Sequence, residues 1–304
     1  MTVAASRRAG VGTATAPSRP ARRRAPVAAI GLAPFAIYVV LFLAVPTVLA
    51  VAEGFFSSEG AFTLDNLGAL SDPVILRAFG ASAAVSAVTA VIGAVVGAVV
   101  CYALLGFPAH GMVRTVVDAV SGVLAQFGGI MLAFAFIATM GVQGLITLQL
   151  KSAFDVDLFA NGPWIYDLPG LLLPYIYFQV PLMVITFLPA VTSLKPEWYE
   201  ANSTLGGTRG RFWLRVAAPV LAPSFFACLL LLFANAFSSY ATAAALISQG
   251  APIVPLQIRS ALTSETVLGR ENVAGVLALG MVIVMAVVMG LYALVQRRAT
   301  RWRS

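Results

Sequence analysis

The sequence is poor in charge, cysteine and histidine, and each shortage excludes something. Only 10% of the 304 residues are Asp, Glu, Lys or Arg, where soluble globular proteins carry about a quarter. That excludes one water-soluble core holding the whole chain. The two cysteines, Cys101 and Cys228, stand apart inside apolar runs, with neither a disulfide framework nor metal-ligand spacing. The lone histidine, His110, has no sequence partners for a zinc site or a His-based triad. No GxxxxGK[ST] phosphate loop is present, so any ATP hydrolysis must belong to another chain. No acid lies deep in an apolar stretch, which weighs against an intramembrane proton relay, an ion-coupled secondary carrier and a membrane-embedded enzyme. No catalytic residue, metal ligand or cofactor is expected.

What is abundant is hydrophobic sequence: 60% of the chain, with a mean hydropathy of +0.92. Six apolar stretches stand out: Val27–Ala52, Ala78–Leu105, Val116–Met140, Leu168–Thr192, Val220–Ser248 and Val273–Gln296. Each exceeds the roughly 20 residues that a helix needs to cross a bilayer. They lack the alternation of barrel strands, and a helix satisfies its own backbone in lipid. The fold class is therefore all-α, a polytopic membrane protein with six transmembrane helices. Ala50 and Ala52 in "VLAVAE" offer small residues as a signal-peptidase site would. The run before them is too long for a signal-peptide core of about 7–15 residues, so the first span is read as uncleaved.

Charge placement orients the spans. Fifteen of the 19 Lys and Arg fall in the two tails, the Gly106–Thr115 loop and the loop after the fourth span. The other side holds Arg77, Lys151, Arg259 and Arg270 against nine acids. The positive-inside rule puts both termini and those two loops in the cytoplasm, and it accounts for the net charge of +7 without a nucleic-acid partner. Residues 1–26 read as a disordered basic arm, 27–296 as the membrane domain and 297–304 as a basic tail. The connection Gly141–Asp167 is the longest on the outer side and reads as a cap or shallow interfacial helix.

The cytoplasmic loop after the fourth span, "KPEWYEANSTLGGTRGRFWLRVAAPVLAP", divides into two short helical pieces. Pro196 suits a first helical position, and Glu197 and Glu200 favour the positive end of the helix dipole. A left-handed cap fits Gly206-Gly207, and Thr208 can cap a second piece broken near Pro219. An elbow that merely rests on the lipid surface would satisfy the same composition. The spacing adds something more: Glu200-Ala201, Gly206, Val216 and Pro219 follow "EAA-x3-G-x9-I-x-L-P", with Asn202, Val216 and Ala218 departing from it.

That spacing, in residues 195–219, resembles the cytoplasmic loop of permease subunits of bacterial binding-protein-dependent ABC importers. "QFGGIMLAFAFIATMGVQGLIT", "YIYFQVPLMVITFLPAV", "NAFSSYATAAALIS" and "IVPLQIRSAL" resemble the spermidine and putrescine subgroup. The resemblance implies a multi-pass protein of the bacterial cytoplasmic membrane. It implies coupling to two ATPase copies through Glu200, Ala201, Gly206 and Pro219. It also implies a second permease or a second copy of this chain, and an extracytoplasmic binding protein that delivers the solute. The implied mechanism is alternating access.

Polar residues inside spans are the candidates for a solute pathway: Gln126, Gln179, Asn235, Ser238, Ser239, Tyr240 and Thr242. Pro181 frees the carbonyl of Tyr177 near Gln179. Asn235, Ser238, Ser239 and Thr242 would form one stripe if the helix ran unbroken. The same residues serve equally as glue between helices. Gly93 and Gly97 read as close helix packing.

Overall fold

The structure is a computed structural model. It describes residues 25–57, 60–108, 111–247, 250, 252–263 and 270–301. His110, most of the basic arm and the last three residues of the tail lie outside the described residues. The chain divides into two compact units, residues 1–48 and 49–304. Among the described residues every regular element is helical, and the only strand-like pairing is the isolated bridge between Phe56 and Phe62.

The described residues begin with α1 (Ala25–Val39) and α2 (Val45–Glu53), joined by a π turn, Val40–Ala44. The widened turn has a local cause. Pro46 has no N–H to give, and the Val45 N–H reaches back five residues to Val40, so the ladder closes around the proline instead of breaking.

The second unit is built on α3 (Pro73–Leu104), capped by the Asp72 carboxylate on the Val74 N–H. It packs along α7 (Leu172–Thr192) and α10 (Ala218–Phe237), and α10 packs against α13 (Arg270–Arg301). Two stacked apolar cores hold these helices. Towards the end nearer the elbow, Cys101, Leu104, Met183, Val184, Phe187, Val191 and Leu221 are buried together. Towards the opposite end, Leu132, Ile165, Leu171, Tyr175, Phe178, Ala243 and Leu256 form the second core. Small residues on α3 let the backbones close in. A Cβ on Gly93 would sit 2.8 Å from the Gln179 Cβ, and one on Gly97 would sit 2.5 Å from the Met183 Cβ.

Among the described residues six helical segments are long and apolar enough to span: Gly31–Glu53, Pro73–Leu104, Gly129–Phe154, Leu168–Thr192, Arg209–Phe237 and Asn272–Arg297. Their number matches the six apolar stretches, but two stretches are divided differently. The expected third span, Val116–Met140, is split into α4 (Met112–Gln126) and α5 (Gly129–Met140). Gly129 at φ +71° and the extended Gly128 interrupt the backbone ladder, so hydropathy runs straight through a point where the helix does not. A further helix, α6 (Leu145–Phe154), follows Gly144 in the connection expected to be a cap or shallow interfacial helix, and with α5 it makes up the third spanning segment, Gly129–Phe154. The expected fifth span, Val220–Ser248, stops at Phe237. After Ser238–Tyr240 the short α11 (Ala241–Leu246) packs against α5. Helix α12 (Val254–Leu262) packs on α13 and α3.

Candidate functional site: the elbow and the stitched helix breaks

Between α7 and α10 lies the elbow. Helix α8 (Pro196–Thr204) starts with Pro196 at its first position and carries Glu197 in its first turn. It ends in a Schellman arrangement. Gly206 adopts φ +73°, its N–H donates to the Ser203 carbonyl at 3.0 Å, and the Gly207 N–H donates to the Asn202 carbonyl at 2.8 Å. Thr208 then caps α9 (Arg209–Phe212), its hydroxyl accepting from the Arg211 N–H at 3.3 Å. The turn at Gly206-Gly207 and the Thr208 cap thus stand where the sequence puts them.

The second arm differs from expectation. It is not broken near Pro219 but runs from α9 through a π turn, Trp213–Ala217, directly into α10. The Ala218 N–H reaches back to the Trp213 carbonyl, the same accommodation of a following proline as at Pro46. The spanning segment therefore begins at Arg209, inside the elbow.

Aromatic contacts hold the elbow to itself and to the bundle. Tyr199 of α8 meets Phe212 edge-on at 5.4 Å between centroids, and Trp213 meets Tyr102 at the end of α3 at 4.8 Å. The Arg209 guanidinium lies 5.8 Å from the centre of the Tyr102 ring, within cation–π range. Phe212 is buried, whereas Glu200, Ala201, Arg211 and Arg215 are exposed. Leu205 is 86% exposed and Leu214 77% exposed. An exposed acid and Ala on one arm, with bare leucines and arginines nearby, form a mixed apolar and charged surface that nothing among the described residues covers.

The expected pathway residues are distributed over two places. Gln179 is fully buried between α3 and α7. Its Nε2 donates to the Thr89 hydroxyl at 2.8 Å, while its Oε1 has no partner. The others gather at the two helix breaks. Gln126 is the last residue of α4 and is exposed. Asn235, Ser238 and Tyr240 are exposed, Ser239 is half-buried and Thr242 is fully buried. Because α10 ends at Phe237, Asn235, Ser238, Ser239 and Thr242 do not form the single helical stripe that their spacing implies.

What the sequence does not reveal is that the two breaks are stitched together. The Gly129 N–H donates to the Thr242 hydroxyl at 3.0 Å, and that hydroxyl lies 3.2 Å from the Gly129 carbonyl, close enough to donate in return. The Tyr175 hydroxyl donates to the Ser239 carbonyl at 2.9 Å. One threonine and one tyrosine thus satisfy backbone groups freed where α5 begins and α10 ends, which membrane interiors require. Asn202, Gly207, Gly129 and Tyr102 are absent from the sequence-derived site. The paired glycines "GG" at 128–129 and 206–207 are the signal that marks both bends.

Among the described residues no group of His, Cys, Asp and Glu could hold a metal ion. Apart from Glu53 at the end of the first, the six spanning segments contain no Asp or Glu.

No family model matches the chain. Curated relatives include the trehalose transport system permease protein SugB of Mycobacterium tuberculosis. It is 26% identical over 201 residues, which cover 64% of this chain and 72% of that protein. The sulfate transport system permease protein CysT of Escherichia coli is 31% identical over 101 residues, covering 31% of this chain and 36% of that one. Among solved structures, a bacterial ABC transporter involved in import of the acidic polysaccharide alginate aligns with a TM-score of 0.71 at 14% identity. The alignment covers 90% of this chain and 95% of that one. An inward-facing form of the MetNI methionine ABC transporter aligns with a TM-score of 0.52 at 15% identity, covering 74% and 96%. With six helices of spanning length among the described residues and an elbow between the fourth and fifth, the chain has the fold of an ABC-importer permease, and its sequence is similar to that of transport-system permease proteins.

Proposed function

We propose that the chain is one half of the membrane pathway of an importer in the bacterial cytoplasmic membrane, with both termini in the cytoplasm. It works with a second permease or a second copy of itself. Two ATPase copies dock at the elbow, and an extracytoplasmic binding protein presents the solute on the opposite side. ATP-driven closure of the ATPases moves the Glu200–Ala201 face, and α10 carries that movement into the bundle, alternately opening the path to either side. The solute passes along the polar groups at the stitched breaks, Gln126, Asn235, Ser238, Ser239 and Tyr240, with Thr242 and Gln179 behind them.

The observation that carries this reading is the exposed Glu200–Ala201 face on an elbow whose second arm is the start of a span. A lipid-resting linker has no use for that continuity. Selection of the solute rests with the binding protein, since apart from Glu53 at the end of the first the spanning segments hold no acid to grip a cation. A polyamine is the class implied by the resemblance of the four quoted stretches to the spermidine and putrescine subgroup. The relatives named above belong to trehalose, sulfate and alginate transport, so the binding protein's ligand is the quantity to measure first.

Glu200→Lys tests the coupling. The variant should insert at normal level, because no span is touched. Uptake and binding-protein-stimulated ATP turnover should both fall about tenfold, as expected for a lost charge-assisted contact of about 1.5 kcal/mol. Normal uptake at normal protein level would leave the elbow as a linker.

A further inference from the structure

The elbow contains a residue for which the family spacing has no role. Asn202 stands at the position of the pattern's second alanine, and its side chain is half-buried rather than turned to solvent. Its Nδ2 donates to the Gly207 carbonyl at 3.0 Å and to the Thr208 carbonyl at 3.3 Å. Both groups facing it are acceptors, which fixes the amide with its nitrogen towards them. The Gly207 N–H returns a bond to the Asn202 carbonyl at 2.8 Å. One residue of α8 is thus tied by backbone and side chain to the two residues that precede α9.

Gly207 completes the arrangement. Only Gly206 of the pair has a positive φ, so backbone conformation does not explain a second glycine. Space does: a Cβ at Gly207 would lie 2.6 Å from the Asn202 Cγ, on top of the amide. Around Gly206, by contrast, nothing lies within 4 Å of a built Cβ. A Schellman turn is commonly accompanied by an apolar contact between the residue two beyond the helix and the residue that accepts its N–H. Here those two are Gly207 and Asn202, and a glycine has no side chain to offer. The Asn202 amide bonds take the place of that contact.

We propose that Asn202, seated on Gly207, is a positioning residue that locks the two arms of the elbow into one body. A push on the Glu200 face is then delivered to α10 and not absorbed by bending at Gly206. The proposal rests on the coupling reading above.

The test uses the complete transporter in proteoliposomes, with Cys101 and Cys228 replaced by Ala and nitroxide labels at Glu197 and Leu214, both exposed. The variants are Asn202→Ala, Asn202→Asp, Gly207→Ala and the Asn202→Ala/Gly207→Ala double. Each single change should broaden the label-to-label distance distribution and lower solute imported per ATP by about fivefold, the factor that one lost hydrogen bond gives. Asn202→Asp should be the worst, since a carboxylate would face two carbonyls. The double should be no worse than Asn202→Ala, because Gly207→Ala acts only by evicting the amide. Additive losses in the double, an unchanged distribution, or a broadened distribution with unchanged solute per ATP would each overturn the proposal. Glu200→Lys, run beside them, separates the two ideas. If it uncouples while the Asn202 variants behave as the parent, the lock fails and the coupling reading stands. If it leaves uptake normal, the coupling reading fails and the positioning role falls with it.

Discussion

Gly206 can be replaced by residues that differ chiefly in how they tolerate a left-handed backbone. Its φ is +73°, and no heavy atom lies within 4 Å of where a Cβ would sit. Steric overlap therefore contributes nothing, and the penalty is that of the dihedral alone. For Ala that is about 1–2 kcal/mol. For Val, whose branched Cβ adds crowding against its own backbone, about 1–3 kcal/mol is expected, towards the upper end. Asn visits the left-handed region far more readily and should fall between Gly and Ala. Since about 1.4 kcal/mol is a factor of ten, Gly206→Ala should raise the population of opened elbows roughly tenfold and Gly206→Val further. The assay is solute imported per ATP in proteoliposomes, with protein level and thermal midpoint measured alongside. Coupling should fall in the order Gly, Asn, Ala, Val, while the midpoint stays put because neither apolar core includes this turn. An Asn variant as poor as Val would show that something other than φ is at stake. Parent-like coupling in all three would refute the reasoning outright.

Two further outcomes are expected. Gly97→Ala should destabilise the α3–α7 contact by about 1–3 kcal/mol, because its Cβ would meet the Met183 Cβ at 2.5 Å and the Val180 carbonyl oxygen at 3.0 Å. A lowered thermal midpoint in detergent checks this, and an unchanged one would mean that the helices separate at no cost. For topology, single cysteines at Thr208 and Asn161, both exposed, are treated in intact cells with an impermeant thiol reagent. Asn161 should label and Thr208 should not, and the reverse pattern would invert the orientation.

The sequence discloses what depends on amount and spacing. Six apolar runs predict six spanning helices. Pro196, Gly206 and Thr208 predict the start, the turn and the second cap of the elbow, because each acts through its own backbone. It conceals what depends on hydrogen bonds closed at a distance. Hydropathy cannot see the interruption at Gly128-Gly129, since glycine does not lower an apolar average enough to mark a break. Nor does it show that Thr242 repairs that interruption from 113 positions away. Ser238 and Thr242 fit a helical stripe in sequence, yet the chain leaves the helix between them. The continuity past Pro219 was hidden for a related reason: proline announces a lost donor, not the wider turn that makes good the loss. Asn202 read as a departure from a pattern until its amide was placed against Gly207.

The π turn at Trp213–Ala217 has a mechanical meaning. A linker of loose coil between elbow and span would let the two move separately, and a displacement at one end would decay before reaching the other. Here the second arm of the elbow and the span are one rod, gripped near its end where Trp213 meets Tyr102. The wide turn carries the helix past the break that Pro219 would otherwise make, so on the coupling proposed above the rod would tilt as a piece and its far end, at Ser238, would sweep opposite to its near end. Leverage of this kind needs no message passed residue by residue. It needs only a stiff bar, a pivot and a load placed off-centre.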